Sequence, residues 1–121
     1  MGKRILIADD DVQLVDMLQI RLEANGYEVI TAYDGQKALE KAQTQAPDLV
    51  ILDLILPKLP GEEVCREIRD NEKTTDLPII MLTGKTSDVD RVVGKVIGAN
   101  YYIPKPFEDD ELLSRVKELL T

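Results

Sequence analysis

The chain has 121 residues, 15 Lys+Arg against 23 Asp+Glu, a net charge of −8 and no histidine. Its 44% apolar and 31% charged residues are a globular composition, and one domain of this length buries roughly two-thirds of the surface its unfolded chain exposes. The absence of histidine excludes Ser-His-Asp and Cys-His nucleophile pairs and imidazole-bound zinc, the lone Cys65 excludes an internal disulfide, and the acidic balance argues against direct nucleic-acid binding.

The elements alternate along the chain. Residues 5–8 (ILIA) form an unbroken apolar run, which suits a strand covered on both faces. Asp9, Asp10 and Asp11 follow, and Asp11 is expected to cap the helix whose stripe is Val12, Val15, Leu18 and Leu22, with Gly26 as its stop. Residues 29–32 make a weaker strand, suited to an edge. Asp34 then caps a helix carrying Ala38, Leu39 and Ala42. The run 49–52 (LVIL) is a second central strand and ends at Asp53. Pro60 and Gly61 open a helix with Val64, Cys65 and Ile68 inward. The run 79–82 (IIML) is a third central strand, ending in Thr83 and Gly84. A Ser87/Asp88 cap predicts a helix striped by Val89, Val92, Val93 and Val96, stopped by Gly98. Residues 101–103 form the last strand, and Lys105 follows between Pro104 and Pro106, which fix its backbone. The acidic run 108–111 favours a helix N-terminus through the macrodipole, ahead of the stripe Leu112, Leu113, Val116, Leu119 and Leu120.

Five strands alternating with five helices imply right-handed βαβ units. The expected fold is α/β, a five-stranded parallel sheet of order 2-1-3-4-5 with helices on both faces, flavodoxin-like and doubly wound. A single domain over 1–121 is expected. Its apolar runs are too short to span a bilayer, residues 5–8 before three aspartates make no signal peptide, and Leu6 occupies the Ser/Thr position that myristoylation at Gly2 requires. A cytoplasmic protein with no membrane partner is expected.

Sites in such folds lie outside the carboxyl ends of the strands. That rule gathers Asp9, Asp10, Asp53, Thr83 and Lys105 into one crevice. Crowded carboxylates repel and must take up protons unless a cation intervenes. Oxygen-only ligands favour magnesium, with manganese as the alternative, over zinc. Asp53 can then act as an oxygen nucleophile toward phosphorus. Lys105 would neutralise phosphoryl oxygens, and the Thr83 hydroxyl would donate to one of them. Taken singly, most of these positions are ordinary: Asp11, Asp34 and Asp88 read as caps, Cys65 as core, and Tyr102 almost as readily as packing as anything else.

The ordered set resembles the receiver domain of two-component response regulators. It rests on residues 5–11 (ILIADDD), residues 53–61 (DLILPKLPG), Met81-Leu82-Thr83, and Tyr102 with Lys105-Pro106-Phe107. The resemblance covers the whole chain. It implies that Asp53 is the phosphorylated residue, that Asp10 binds magnesium directly and Asp9 mainly through water, and that Ile55 offers its backbone carbonyl. It further implies a phosphoryl contact from Lys105, a cis Lys105-Pro106 peptide, and a switch in which Thr83 and Tyr102 turn inward together and alter the face of the fourth helix, fifth strand and fifth helix. The implied function is a signalling switch, not an enzyme beyond its own phosphoryl transfer and autodephosphorylation. Its implied partners are a sensor histidine kinase or histidine phosphotransfer protein, a downstream protein target or C-terminal effector domain, and a homodimer on phosphorylation. Gly84, Ile55 and Asn100-Tyr101 depart from the usual pattern; Arg91, Glu111 and Arg115 match charges used for dimerisation. Apolar Ile55 is expected to lengthen the life of the phosphorylated state. The alternatives are a magnesium-dependent phosphohydrolase, disfavoured because Ile55 stands where its second acid belongs; a flavin or nucleotide binder, disfavoured by three aspartates in the phosphate loop; and a pseudo-receiver that is never phosphorylated.

Overall fold

The computed structural model describes residues 2–84 and 98–121. The expected Ser87/Asp88 cap, the stripe Val89, Val92, Val93 and Val96, and Arg91 all lie outside the described residues. The elements in chain order are β1 (Arg4–Ala8), α1 (Val12–Ala24), β2 (Glu28–Ala32), α2 (Gly35–Thr44), β3 (Leu49–Asp53), α3 (Gly61–Asp70), β4 (Ile79–Thr83), β5 (Tyr101–Pro104) and α4 (Asp109–Leu120). All five strands pair in parallel in the order β2-β1-β3-β4-β5. Four helices stand among the described residues, against the five expected.

The unbroken apolar runs divide between two cores, because successive residues of a strand face opposite sides. Leu6, Ala8, Val50, Leu52, Ile79 and Met81 face α2 and α3, meeting Ala38, Ala42, Val64, Cys65 and Ile68. Ile5, Ile7, Leu49, Ile51, Ile80, Leu82 and Ile103 face the other way, onto Val15, Leu18 and Leu22 of α1 and Leu112 and Val116 of α4. Every residue of β3 and β4 is buried. The edge strand β2 is only partly covered, which is why its sequence is more polar. At about 2–5 kcal/mol for truncation of a buried Ile to Ala, loss of either Ile51 or Ile80 would consume much of a small domain's stability.

The turn chemistry follows the sequence. Asp11 and Asp34 cap α1 and α2, accepting from the Leu14 N–H at 3.2 Å and the Lys37 N–H at 2.8 Å. This hydrogen bond holds the Asp34 carboxyl below its ordinary range. Gly26, at φ +90, ends α1. Three acids, Asp109, Asp110 and Glu111, fill the first turn of α4. One position departs from the expected stripe: Val12 is 53% exposed. It is the first residue of α1 and belongs to neither core. Among the described residues no helix is long and apolar enough to cross a membrane.

Candidate functional site

Parallel strands end on one side of the sheet, so each carries its terminal residue there. Asp9 stands one residue past β1, tied to the sheet by its N–H to the Ala32 carbonyl at 3.1 Å. Asp53 closes β3 and Thr83 closes β4, with Asp53 in register with Leu82. Lys105 follows β5, fastened by its N–H to the Thr83 carbonyl at 2.9 Å, and its peptide to Pro106 is cis.

The carboxylates converge. One oxygen each from Asp9, Asp10 and Asp53 lies within 4.8 Å of the others, with Asp9 and Asp53 buried and Asp10 exposed. The Lys105 ammonium donates to Asp9 Oδ2 at 2.8 Å and to Asp53 Oδ2 at 3.3 Å. The second oxygen of each buried acid takes a backbone N–H: Asp11 to Asp9 Oδ1 at 2.9 Å, Ile55 to Asp53 Oδ1 at 3.3 Å. Gly61 makes room below. A Cβ there would stand 2.1 Å from the Asp53 carbonyl oxygen.

Burial first, and the Asp9 charge second, push the Asp53 carboxyl up to about 6, against the pull of Lys105 and the Ile55 N–H. Burial draws the Lys105 ammonium down, but the Asp9 hydrogen bond and the charges of Asp53 and Asp9 outweigh it and leave it raised. One ammonium thus serves two buried carboxylates, and a third stands at the rim. That surplus of negative oxygen fits a hard divalent cation, which binds carboxylate oxygens and waters. Among the described residues the cluster offers carboxylate oxygens alone, which do not favour a softer metal.

The remaining expected residues are placed as follows. Thr83 is 2% exposed and lies one residue beyond the Asp53–Leu82 pair. Tyr102, in register with Met81, is half-buried and packs against the α2–α3 core, on the sheet face that Thr83 shares by alternation. Ile55 is 70% exposed, and its backbone N–H donates to Asp53 Oδ1. Arg115, expected among the dimerisation charges, lies 4.4 Å over the Tyr101 ring and reaches Glu118 at 3.2 Å. Tyr101 also donates to Glu118.

Sequence reasoning missed the partition of Lys105, which is nearer Asp9 than Asp53. It also missed Arg69, whose guanidinium donates to the carbonyls of Thr75, Leu77 and Gly98 and to Asn100 Oδ1. No signal in the sequence marks either, since both depend on side chains meeting across the fold.

The model for the response regulator receiver domain matches residues 5–117. The chain is 48% identical over 120 residues to the alkaline phosphatase synthesis transcriptional regulatory protein PhoP of Bacillus subtilis, a match covering 99% of this chain and 49% of the relative. It therefore spans about half the length of that curated relative. Among solved structures it resembles a putative response regulator from Chloroflexus aurantiacus (TM-score 0.95, 39% identity, 99% of this chain and 98% of the other). It also resembles the receiver domain of a sensor histidine kinase from Pseudomonas aeruginosa, solved with a magnesium ion coordinated in its active-site cleft (TM-score 0.91, 33% identity, 98% of each chain). Matched over nearly its full length in sequence and in fold, the chain belongs to the response regulator receiver domain family.

Proposed function

We propose that this receiver, a single domain over residues 1–121, is a phosphorylation-controlled switch whose acceptor is Asp53. The observation that carries the reading is the buried Asp53 carboxylate sharing one ammonium with Asp9 while three carboxylate oxygens converge within 4.8 Å. Asp10 and Asp53, with the Ile55 carbonyl and Asp9 through water, would hold magnesium or manganese. When bound, the cation supplies positive charge against the phosphoryl oxygens and relieves repulsion among the acids. The chain's own groups do the rest. An Asp53 oxygen attacks phosphorus, forming an O–P bond as the P–N bond to a donor histidine breaks. Lys105 swings its charge from the carboxylates to the incoming phosphoryl oxygens, and the Thr83 hydroxyl donates to one of them.

The added group then biases a two-state element, since a ligand shifts a conformational equilibrium only through differential contacts. Thr83 and Tyr102, on one sheet face, are that element. The donor is a sensor histidine kinase or histidine phosphotransfer protein. The relative described as a transcriptional regulatory protein supports an output in transcription, through an effector segment or a docked target. The switch is a signalling device and not an enzyme with a turnover substrate.

Intact mass after incubation with acetyl phosphate tests the reading. Wild type is expected to gain one phosphoryl group only when magnesium is present, and Asp53→Asn to gain none. No adduct under conditions where magnesium demonstrably binds would sink it, leaving an interaction module that is never phosphorylated.

A further inference from the structure

The loop from Leu54 to Pro60, which follows Asp53, is strained and is held from outside. Lys58 lies in the left-handed region at φ +69. The Leu59 N–H donates to the Pro57 carbonyl, two residues back, at 2.7 Å. This is a γ-turn with a positive central φ, a rare and strained form. Such a conformation persists only where its surroundings over-determine it.

The N-terminus of α2 supplies those surroundings. The Gly35 N–H donates to the same Pro57 carbonyl at 3.0 Å. Asp34, while capping α2, faces the Lys58 ammonium at 3.7 Å. That pair is exposed on the lysine side and weak by itself, so the backbone approach carries most of the hold. The approach is very close. A Cβ on Gly35 would stand 1.8 Å from the Leu59 carbonyl oxygen and 2.6 Å from its carbon. At its inner end the same loop meets the site, with the Ile55 N–H on Asp53 Oδ1 and the Gly61 N–H on the Leu54 carbonyl at 2.9 Å.

We propose that Asp34 and Gly35 are positioning residues for the acidic site: the α2 N-terminus clamps the 54–60 loop in the placement where Ile55 meets Asp53, and thereby sets the site's affinity for a divalent cation and the reactivity of Asp53. The proposal rests on the reading of Asp53 as metal ligand and phosphoacceptor. Gly35 acts from α2 and touches neither reacting atom.

The test compares wild type, Gly35→Ala and Asp34→Ala by magnesium titration calorimetry, acetyl phosphate uptake, and thermal melting in EDTA. Gly35→Ala must push the loop aside, and a misplacement of about 1 Å costs up to roughly 100-fold; magnesium affinity and uptake rate are expected to fall together by roughly 10- to 100-fold. Asp34→Ala removes the α2 cap together with the Lys58 pair, so the helix end that holds the loop frays and magnesium binding is expected to weaken several-fold. A merely structural role would lower the melting temperature and leave magnesium affinity as it is in wild type. Either variant, folded, binding magnesium within about twofold of wild type overturns the proposal, because a misplaced site loses far more than that. If Gly35→Ala does not fold, Asp34→Ala decides alone. Wild type that takes up neither magnesium nor phosphoryl overturns the reading of Asp53 instead, so the two failures are distinguishable.

Discussion

At Asp53 the sign of the electrostatics can be worked out. Its folded-state carboxyl is raised from 3.8 to about 6, by burial first and by Asp9 second. The fold therefore prefers the protonated acid, and ionisation costs stability. Below the unfolded value both states are protonated and nothing is lost. Stability falls as pH rises from there through about 6, and above that the loss is complete. In metal-free buffer Asp53→Asn, which cannot ionise, is expected to be more stable than wild type by roughly 1–3 kcal/mol at pH 7.5, with the gain vanishing near pH 3.5. Urea melts at the two pH values check this; an equal gain at both would disprove the assignment. Two residues on, Ile55, whose backbone N–H meets the carboxylate, carries a 70% exposed apolar side chain. Once Asp53 is phosphorylated, Ile55→Asn is expected to hasten dephosphorylation several-fold by offering water a hydrogen-bonding partner. Decay of the intact-mass adduct reads the rate, and equal lifetimes would refute the role.

Among the elements, β4 and β5 are joined by more than their ladder. Asn100 Oδ1 accepts from the Ile79 N–H at 2.8 Å and from Arg69 at 3.1 Å, and the Asn100 N–H returns to the Ile79 carbonyl at 2.8 Å. One amide thus begins β4, leads into β5 and anchors the end of α3. Asn100→Ala leaves the N–H of fully buried Ile79 without its acceptor, which is expected to cost about 1–3 kcal/mol. Asn100→Asp, which keeps the oxygen, should lose less in the same chemical melts. The central strands were legible beforehand because a run such as 49–52 has no polar residue to turn toward water, and only a sheet covered on both faces accepts that. The structure closes β3 on Asp53 and β4 on Thr83, where the apolar runs were expected to end, so the two polar groups are ladder ends and not loop residues. The convergence of Asp9, Asp10, Asp53 and Lys105 was legible once the strand order was assumed. The Arg69–Asn100 link and the approach of Leu59 to Gly35 were not, since they depend on tertiary placement that no local pattern records.

For the molecule as a whole, a net charge of −8 means that the crowded acids of the site add to a general excess of negative charge. A divalent cation bound only by the folded chain stabilises it by mass action, about 2.7 kcal/mol at a hundredfold excess over Kd. Magnesium is therefore expected to raise the melting temperature of wild type and EDTA to reverse it. Asp10→Asn, with one of the proposed ligands removed, should show a much smaller shift in the same thermal scans. The sheet order has a consequence in time as well as in stability. β1 pairs with β2 on one side and β3 on the other, so Ile5 meets both Val29 and Leu49, and Ile80 waits for Tyr101. No two neighbouring strands are linked by a hairpin, and every ladder requires distant stretches of chain to find one another before any of it is rewarded. Such a topology folds more slowly than a helical bundle of its size, whose contacts are local. The order that brings four strand ends to one crevice also makes the crevice among the last features a newly made chain can assemble.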